Sequence, residues 1–395
     1  MTSGNAVPDF RIGSDDPQIR FSKQALIVGL VGCAVAIAGA FLDPVQAIRS
    51  YLIGFLFWLG IALGSMGILS LHHVAGGSWS AMIRRPLEAA VRTLPLLAIF
   101  FIPVAVGAPF LYEWADPAHV AHDPILQAKQ PYLNLPFFYA RGVLYFAAWI
   151  GLGWFLTHWS IREDLEGSAL HPDRLEYLSR GALILYALTM SFAAVDWVMS
   201  LEPHWFSMVF GLLLIAAQGL AAFAFTIPVV LWLDRGGDFG RLLASRQLRD
   251  LGSFLFAFVM IWAYLGLSQL LIIWSANNPE EIPWYLVRST GGWWWLAVFL
   301  MVFHFVIPFV VLLGRGAKSN RKILATMALW LLFCRWVELI WLVVPAWSKS
   351  GLSIHPLDIV MPVALGGIWV WWFFVGLASH PLVPLHDVSL EEASP

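Results

Sequence analysis

The 395-residue chain has only two cysteines, Cys33 and Cys334, far apart and in different apolar stretches. Without partners they form no thiolate metal site, no c-type haem attachment and no disulfide framework. Charge is equally scarce. Asp, Glu, Lys and Arg make up 12% of the residues, against about 25% in an average soluble domain, which excludes an ordinary soluble fold. The net charge of −2 offers no basic patch for nucleic acid and no polybasic tail for lipid headgroups. Phosphate-binding glycine loops, Ser-His-Asp arrangements and metal-binding runs are missing. No span holds a histidine pair at the separation that haem-ligating four-helix cytochromes use. With no internal repeat, low-complexity tract or soluble domain, any chemistry belongs to helices, to loops or to another subunit.

What remains is apolar: 59% of the chain is hydrophobic and the mean hydropathy is +0.74. A bilayer core about 30 Å thick needs roughly 20 such residues as helix. Windows of that kind fall at 24–42, 50–74, 92–112, 138–158, 179–199, 206–233, 250–275, 291–315, 323–345 and 356–378. Stretches such as Gly211 to Leu231 lack the alternation of a barrel strand. The expected fold is an all-α polytopic membrane protein: a ten-helix domain over 24–378, flanked by tails at 1–23 and 379–395. Asp9, Asp15 and Asp16 make a poor signal-peptide n-region, so the first helix is read as retained.

Lys and Arg in short loops stay on the cytoplasmic side of a membrane. Alternate loops here carry 17 and 5 of them, with Arg335 left inside a span. Arg11, Arg84, Arg85, Arg92, Arg174, Arg235, Arg241 and Arg321 are among the 17, whereas Arg49, Lys129, Arg141, Arg288 and Lys349 are the five. Both termini are therefore expected in the cytoplasm. The long opposite loop, Tyr112 to Leu135, reads as an ordered lid or contact surface. Many of the 22 tryptophans, including Trp114, Trp205, Trp274, Trp284 and Trp347, fall at span ends, where the ring suits the headgroup level.

An ionisable group inside a bilayer is costly and marks a functional candidate. Arg335 and Glu338 stand three apart on the ninth helix, close enough to pair. At 1.5 Å per residue they lie roughly 21 and 26 Å from the arginine-rich end, and Asp196 of the fifth helix lies at roughly 26 Å. Ser268 and Gln269 reach a similar depth, so one polar cluster from three helices is expected. His304 lies near the middle, with Gln218 comparable. His72, His73 and His158 stand at cytoplasmic helix ends, with Arg85 and Glu88 in the loop that follows the first two. Together these groups read as an interrupted proton ladder: Asp196, Arg335 and Glu338 as outer relay, His304 in the middle, and His72, His73, Arg85 and Glu88 as cytoplasmic mouth. A structural ion pair and a hydrogen-bonded core histidine are the plainer readings.

Three segments carry a resemblance: AVDWVMSLEPHWFSMVFG (Ala194 to Gly211), LHHVAGGSWSAMIRRPLEA (Leu71 to Ala89) and SANNPEEIPWYLVRSTGGWWW (Ser275 to Trp295). In these motifs the chain resembles the integral-membrane subunits of bacterial alternative complex III, within the broader NrfD/polysulfide-reductase membrane-anchor family. The double histidine and double arginine are closer to the ActF type than to the ActC type. The resemblance implies two four-helix bundles, helices two to five and six to nine, with two peripheral helices. It implies a subunit of a quinol:electron-acceptor oxidoreductase in the bacterial inner membrane, passing electrons to cytochrome c or a copper protein. Expected partners are a multihaem cytochrome c, an iron–sulfur protein, a second ten-helix subunit, lipid and the quinone pool. Haem c and iron–sulfur clusters belong to those partners. Glu202, His204, Trp205 and Gln269 are the candidate quinone or outer-loop contacts. A secondary transporter and a purely structural anchor for peripheral redox subunits are the alternatives.

Overall fold

The computed structural model describes residues 12–13, 15–80, 82–166, 172–234 and 245–383. Arg11, Arg235 and Arg241, and most of both expected tails, lie outside the described residues. Ten helices long and apolar enough to cross a membrane run through them: α1 (Pro17–Leu42), α2 (Pro44–Ala75), α3 (Arg84–Val106), α4 (Leu135–Arg162), α5 (Arg174–Leu201), α6 (Phe210–Leu233), α7 (Ser245–Ala276), α8 (Trp293–Leu313), α9 (Arg321–Ala346) and α10 (Leu357–Ala378). Among the described residues there is no strand. The fold is the expected all-α polytopic one.

Local chemistry sets several ends. Pro17 and Pro44 open α1 and α2, where a missing N–H costs nothing. Asp43 caps α2 through the Gln46 N–H, and Asn320 caps α9 through Lys322 and Ile323. The third helix begins at Arg84, well before the apolar window that starts at 92. Arg84 and Arg85 fold onto Glu88 along the helix, so this charged turn is helical although no hydropathy window contains it.

Helices α2, α3, α4 and α5 close one ring, each packed on the next and α5 back on α2. Helices α6 to α9 close a second ring in the same way. The rings meet where α2 packs on α6, and these are the two most buried helices. Gly64 permits the contact, because a Cβ there would overlap the Gln218 carbonyl. Helices α1 and α10 pack on each other and on α2, with Gly29 against Gly367, small residues that let two backbones approach.

Side-chain bonds group the helix ends into two faces. On one, Gln18 of α1 reaches the Trp232 carbonyl of α6, and Arg92 of α3 reaches His380 after α10. On the other, Trp347 after α9 reaches the Leu111 carbonyl, and Gln46 of α2 reaches Asp358 of α10. The first is the arginine-rich face of the sequence.

Candidate functional site

The second ring holds an ionisable cluster built around an irregular turn. Within α8, residues Leu300–Val306 form a π-helix, in which the Ile307 N–H bonds back to the Val302 carbonyl. Wider turns of this kind are frequent at functional sites. The Phe303 carbonyl is thereby deprived of Ile307, and the next residue, Pro308, has no N–H to offer. Helix α9 supplies the missing donors: Trp330 Nε1 lies 2.8 Å and Cys334 Sγ 3.6 Å from that oxygen. His304, on the widened turn, is fully buried.

Its ring lies 4.1 Å, centroid to centroid, from that of Trp262 on α7. Trp262 Nε1 donates to Glu338 Oε1 at 2.8 Å, while His304 Nδ1 lies 3.7 Å from Glu338 Oε2. Arg335, one turn earlier on α9, pairs with the same Oε2. Three helices thus hold one carboxylate that is 2% exposed, and among the described residues His304 Nε2 has no hydrogen-bond partner. Arg335 also lines a cavity of about 30 Å³ between the two rings, with Gly60, Met190, Val198 and Gln218. A water needs about 10–15 Å³ of such space and a few polar partners. Across the cavity, Gln218 accepts from the Tyr186 hydroxyl at 2.6 Å.

Asp196 does not join this cluster. It sits near the C-terminal end of α5 in the other ring, against α4, where Arg141 Nε and Nη2 donate to its two oxygens at 2.7 and 2.9 Å and the Tyr145 hydroxyl donates at 2.7 Å. Arg141 is itself packed over the rings of Tyr132 and Phe137, at 4.0 and 4.3 Å. The absence of a nearby basic residue in sequence made Asp196 look unpaired; its partner lies 55 positions earlier. The expected union of α5, α7 and α9 side chains is replaced by two separate clusters.

Glu88 lies in α3, not in a loop, and is fully buried. Arg85 Nη1 approaches it at 2.5 Å, Arg84 Nε at 3.3 Å and Arg92 Nη2 at 3.7 Å, and the Ser160 hydroxyl of α4 donates to it. His72 shares a hydrogen bond with the Ser80 hydroxyl, and the His73 ring lies 5.0 Å from that of His72. His73 Nε2 is buried with no hydrogen-bond partner among the described residues. His158 stacks on Trp154. Among the described residues no side-chain contact joins the Glu88 group to the Glu338 group.

Three of the four outer candidates, Glu202, Trp205 and Gln269, come together on the arginine-poor face around Arg288, a residue not proposed as a contact from sequence. Arg288 Nη2 donates to Glu202 Oε2 at 2.7 Å and to the Leu342 carbonyl at 2.8 Å, and its guanidinium lies 3.7 Å above the Trp284 ring. Trp205 stacks on the same Trp284 at 4.7 Å, and Gln269 bonds Ser207 and Tyr285 at 3.3 Å each. Desolvation lowers Arg288 from its ordinary value, and the Glu202 charge opposes that shift. His204 instead faces outward to Asp123, at 2.6 Å, and Lys129 Nζ donates to the Pro203 carbonyl at 2.5 Å. The 112–135 loop is therefore laid over the 202–205 turn. In the sequence Arg288 shows only as one of the five cations of the arginine-poor loops, inside the Ser275 to Trp295 motif; that it lies over Trp284, four residues earlier, follows from the short helix Ile282–Arg288.

No family model matches the chain, and no curated protein matches it. Among the described residues, no three His, Cys, Asp or Glu side chains gather as a metal site.

Proposed function

We propose that this chain is a proton-conducting membrane subunit of a quinol:electron-acceptor oxidoreductase, held in the bacterial inner membrane with both termini in the cytoplasm. The observation that carries this reading is Glu338: a buried acid that faces His304 on a π-helical turn and is paired to an arginine lining a water-sized cavity between the rings. The redox half rests on the three motifs that resemble the alternative complex III subunits. In such a complex quinol oxidation releases protons, while haem c and iron–sulfur clusters on partner subunits take the electrons.

Glu338 is the proton-carrying group in this scheme, and Arg335 is its latch. Paired with Oε2, Arg335 holds the carboxylate ionised. When the guanidinium turns toward the cavity, an unpaired carboxylate in a low-dielectric interior becomes costly, and Oε2 takes up a proton. His304 offers Nε2 as the next acceptor, and a water between Arg335 and Gln218 links Glu338 to Tyr186. Asp196 serves as a fastening of α4 to α5 and is not a carrier. His72, His73, Arg85 and Glu88 form a separate group at the arginine-rich face, where protons enter or leave. Glu202, Trp205 and Gln269 shape the outer surface, a place for quinone or for a redox partner.

The test is isolation of the tagged chain from native membranes with mass spectrometry of what accompanies it. A multihaem cytochrome c, an iron–sulfur protein and a second ten-helix subunit are expected. Recovery of the chain alone, from membranes whose other complexes survive, contradicts the proposal and favours a transporter.

A further inference from the structure

A second cavity, of about 180 Å³, lies on the arginine-poor face where the starts of α2 and α10 meet the end of α9. Its polar wall is Gln46, Arg49, Trp347, Ser348, Ser353 and Asp358. Two opposite charges share this space without pairing. Among the described residues Arg49 has no ion pair within 4 Å, although the Asp43 charge acts on it; its guanidinium lies 5.1 Å above the Trp347 ring, and its Nε is buried with no hydrogen-bond partner. Asp358, 1% exposed, receives the Ser50 hydroxyl at 2.6 Å and Gln46 Nε2 at 3.4 Å on Oδ1, and the His355 N–H at 2.8 Å on Oδ2. A carboxylate has about four acceptor positions, so Oδ2 keeps one for a further donor. The cavity is far larger than the ~10–15 Å³ that one water requires.

Its position supplies the rest. Arg49 is five residues inside the start of α2, about 8 Å along the helix, and Trp347 follows the last turn of α9. This is the level at which interfacial tryptophans and lipid headgroups meet. Ser353, which lines the cavity, lies in the chain between Leu352 and Ile354, which are 39% and 47% exposed and offer apolar surface for acyl chains.

We propose that this cavity binds the zwitterionic headgroup of a phospholipid with a primary ammonium, of the phosphatidylethanolamine type. The phosphate meets the Arg49 guanidinium and the Ser353 hydroxyl, and the ammonium donates to Asp358 Oδ2. A primary ammonium can donate into that narrow acceptor; a trimethylammonium cannot. The site is independent of the proton path, and neither charge belongs to the Glu338 cluster.

The experiment is native mass spectrometry and thermal unfolding of the full-length protein, purified in detergent and supplied in turn with phosphatidylethanolamine, phosphatidylcholine, phosphatidylglycerol or inorganic phosphate. Phosphatidylethanolamine is expected to stay bound and to raise the unfolding temperature most. Arg49→Gln is expected to weaken its retention about tenfold, the value of one charge-assisted contact. Asp358→Asn is expected to erase the preference over phosphatidylglycerol. Because changing Asp358 also strips partners from Ser50 and Gln46, Ser353→Leu, which fills the cavity from an exposed position, serves as the second variant and is expected to lose the lipid in a folded protein. Equal or stronger binding of phosphatidylglycerol or phosphatidylcholine, an equal effect of inorganic phosphate, or lipid retention unchanged in both Arg49→Gln and Ser353→Leu would overturn the proposal.

Discussion

At the scale of single residues, the charges divide into fastenings and a candidate carrier. Arg141 and Asp196 are a fastening: both carboxylate oxygens are occupied by the fork of one guanidinium. Removing one member of such a buried pair leaves the other uncompensated, at a cost of about 3–5 kcal/mol. Arg141→Ala should therefore destabilise the protein by that order in reversible unfolding in detergent. Arg141→Met combined with Asp196→Asn should recover most of the loss; an Arg141→Ala protein of unchanged stability would contradict the assignment. A second fastening titrates. Burial pushes the Asp123 carboxyl up, but the Leu126 N–H, the His204 ring and the Ile125 N–H outweigh it and hold it below the usual carboxylate range. A group depressed in the folded state contributes stability above its unfolded pKa, near 4, and loses it as pH falls through the folded value. Amide exchange over residues 117–129 should thus stay slow at pH 5–7 and rise only below about pH 4. Protection already lost between pH 7 and 5 would contradict this assignment. Chain position made Asp196 visible as a candidate, yet its partner is set by the packing of α4 on α5, which no local window reports.

At the scale of elements, hydropathy located all ten spans, because each carries a long apolar run that only a helix can bury in lipid. It misplaced the start of α3, where Arg84, Arg85 and Glu88 neutralise one another within two turns. It also gave no sign of the π-helical turn in α8, since Pro308 alone reads as an ordinary kink. That turn persists because α9 supplies donors to the orphaned Phe303 carbonyl. Trp330→Phe keeps the ring and removes the stronger donor, leaving a buried carbonyl short of a partner, at about 1–3 kcal/mol. The expected result is a loss of that size in unfolding, with altered ring environments at His304 and Trp262. Stability equal to the parent protein would mean that Cys334 or a water takes over the carbonyl.

At the scale of the whole molecule, two rings of four helices meet along α2 and α6, and the interior polar groups are distributed by ring. The Asp196 and Glu88 groups stay in the first ring, on opposite faces; the Glu338 group occupies the second and looks into the seam through Arg335. The sequence suggested one interrupted ladder because depth along a helix can be counted from residue numbers, whereas the side toward which a residue turns depends on neighbours that are distant in the chain. The most direct test of the account concerns Glu338. Protons moved per electron should be measured with the assembled complex in sealed vesicles, comparing the parent protein with Glu338→Gln, which keeps the acceptor for Trp262 and removes the titratable group. The account predicts normal assembly with a lowered proton-to-electron ratio. An assembled Glu338→Gln complex with unchanged turnover and an unchanged ratio would contradict it.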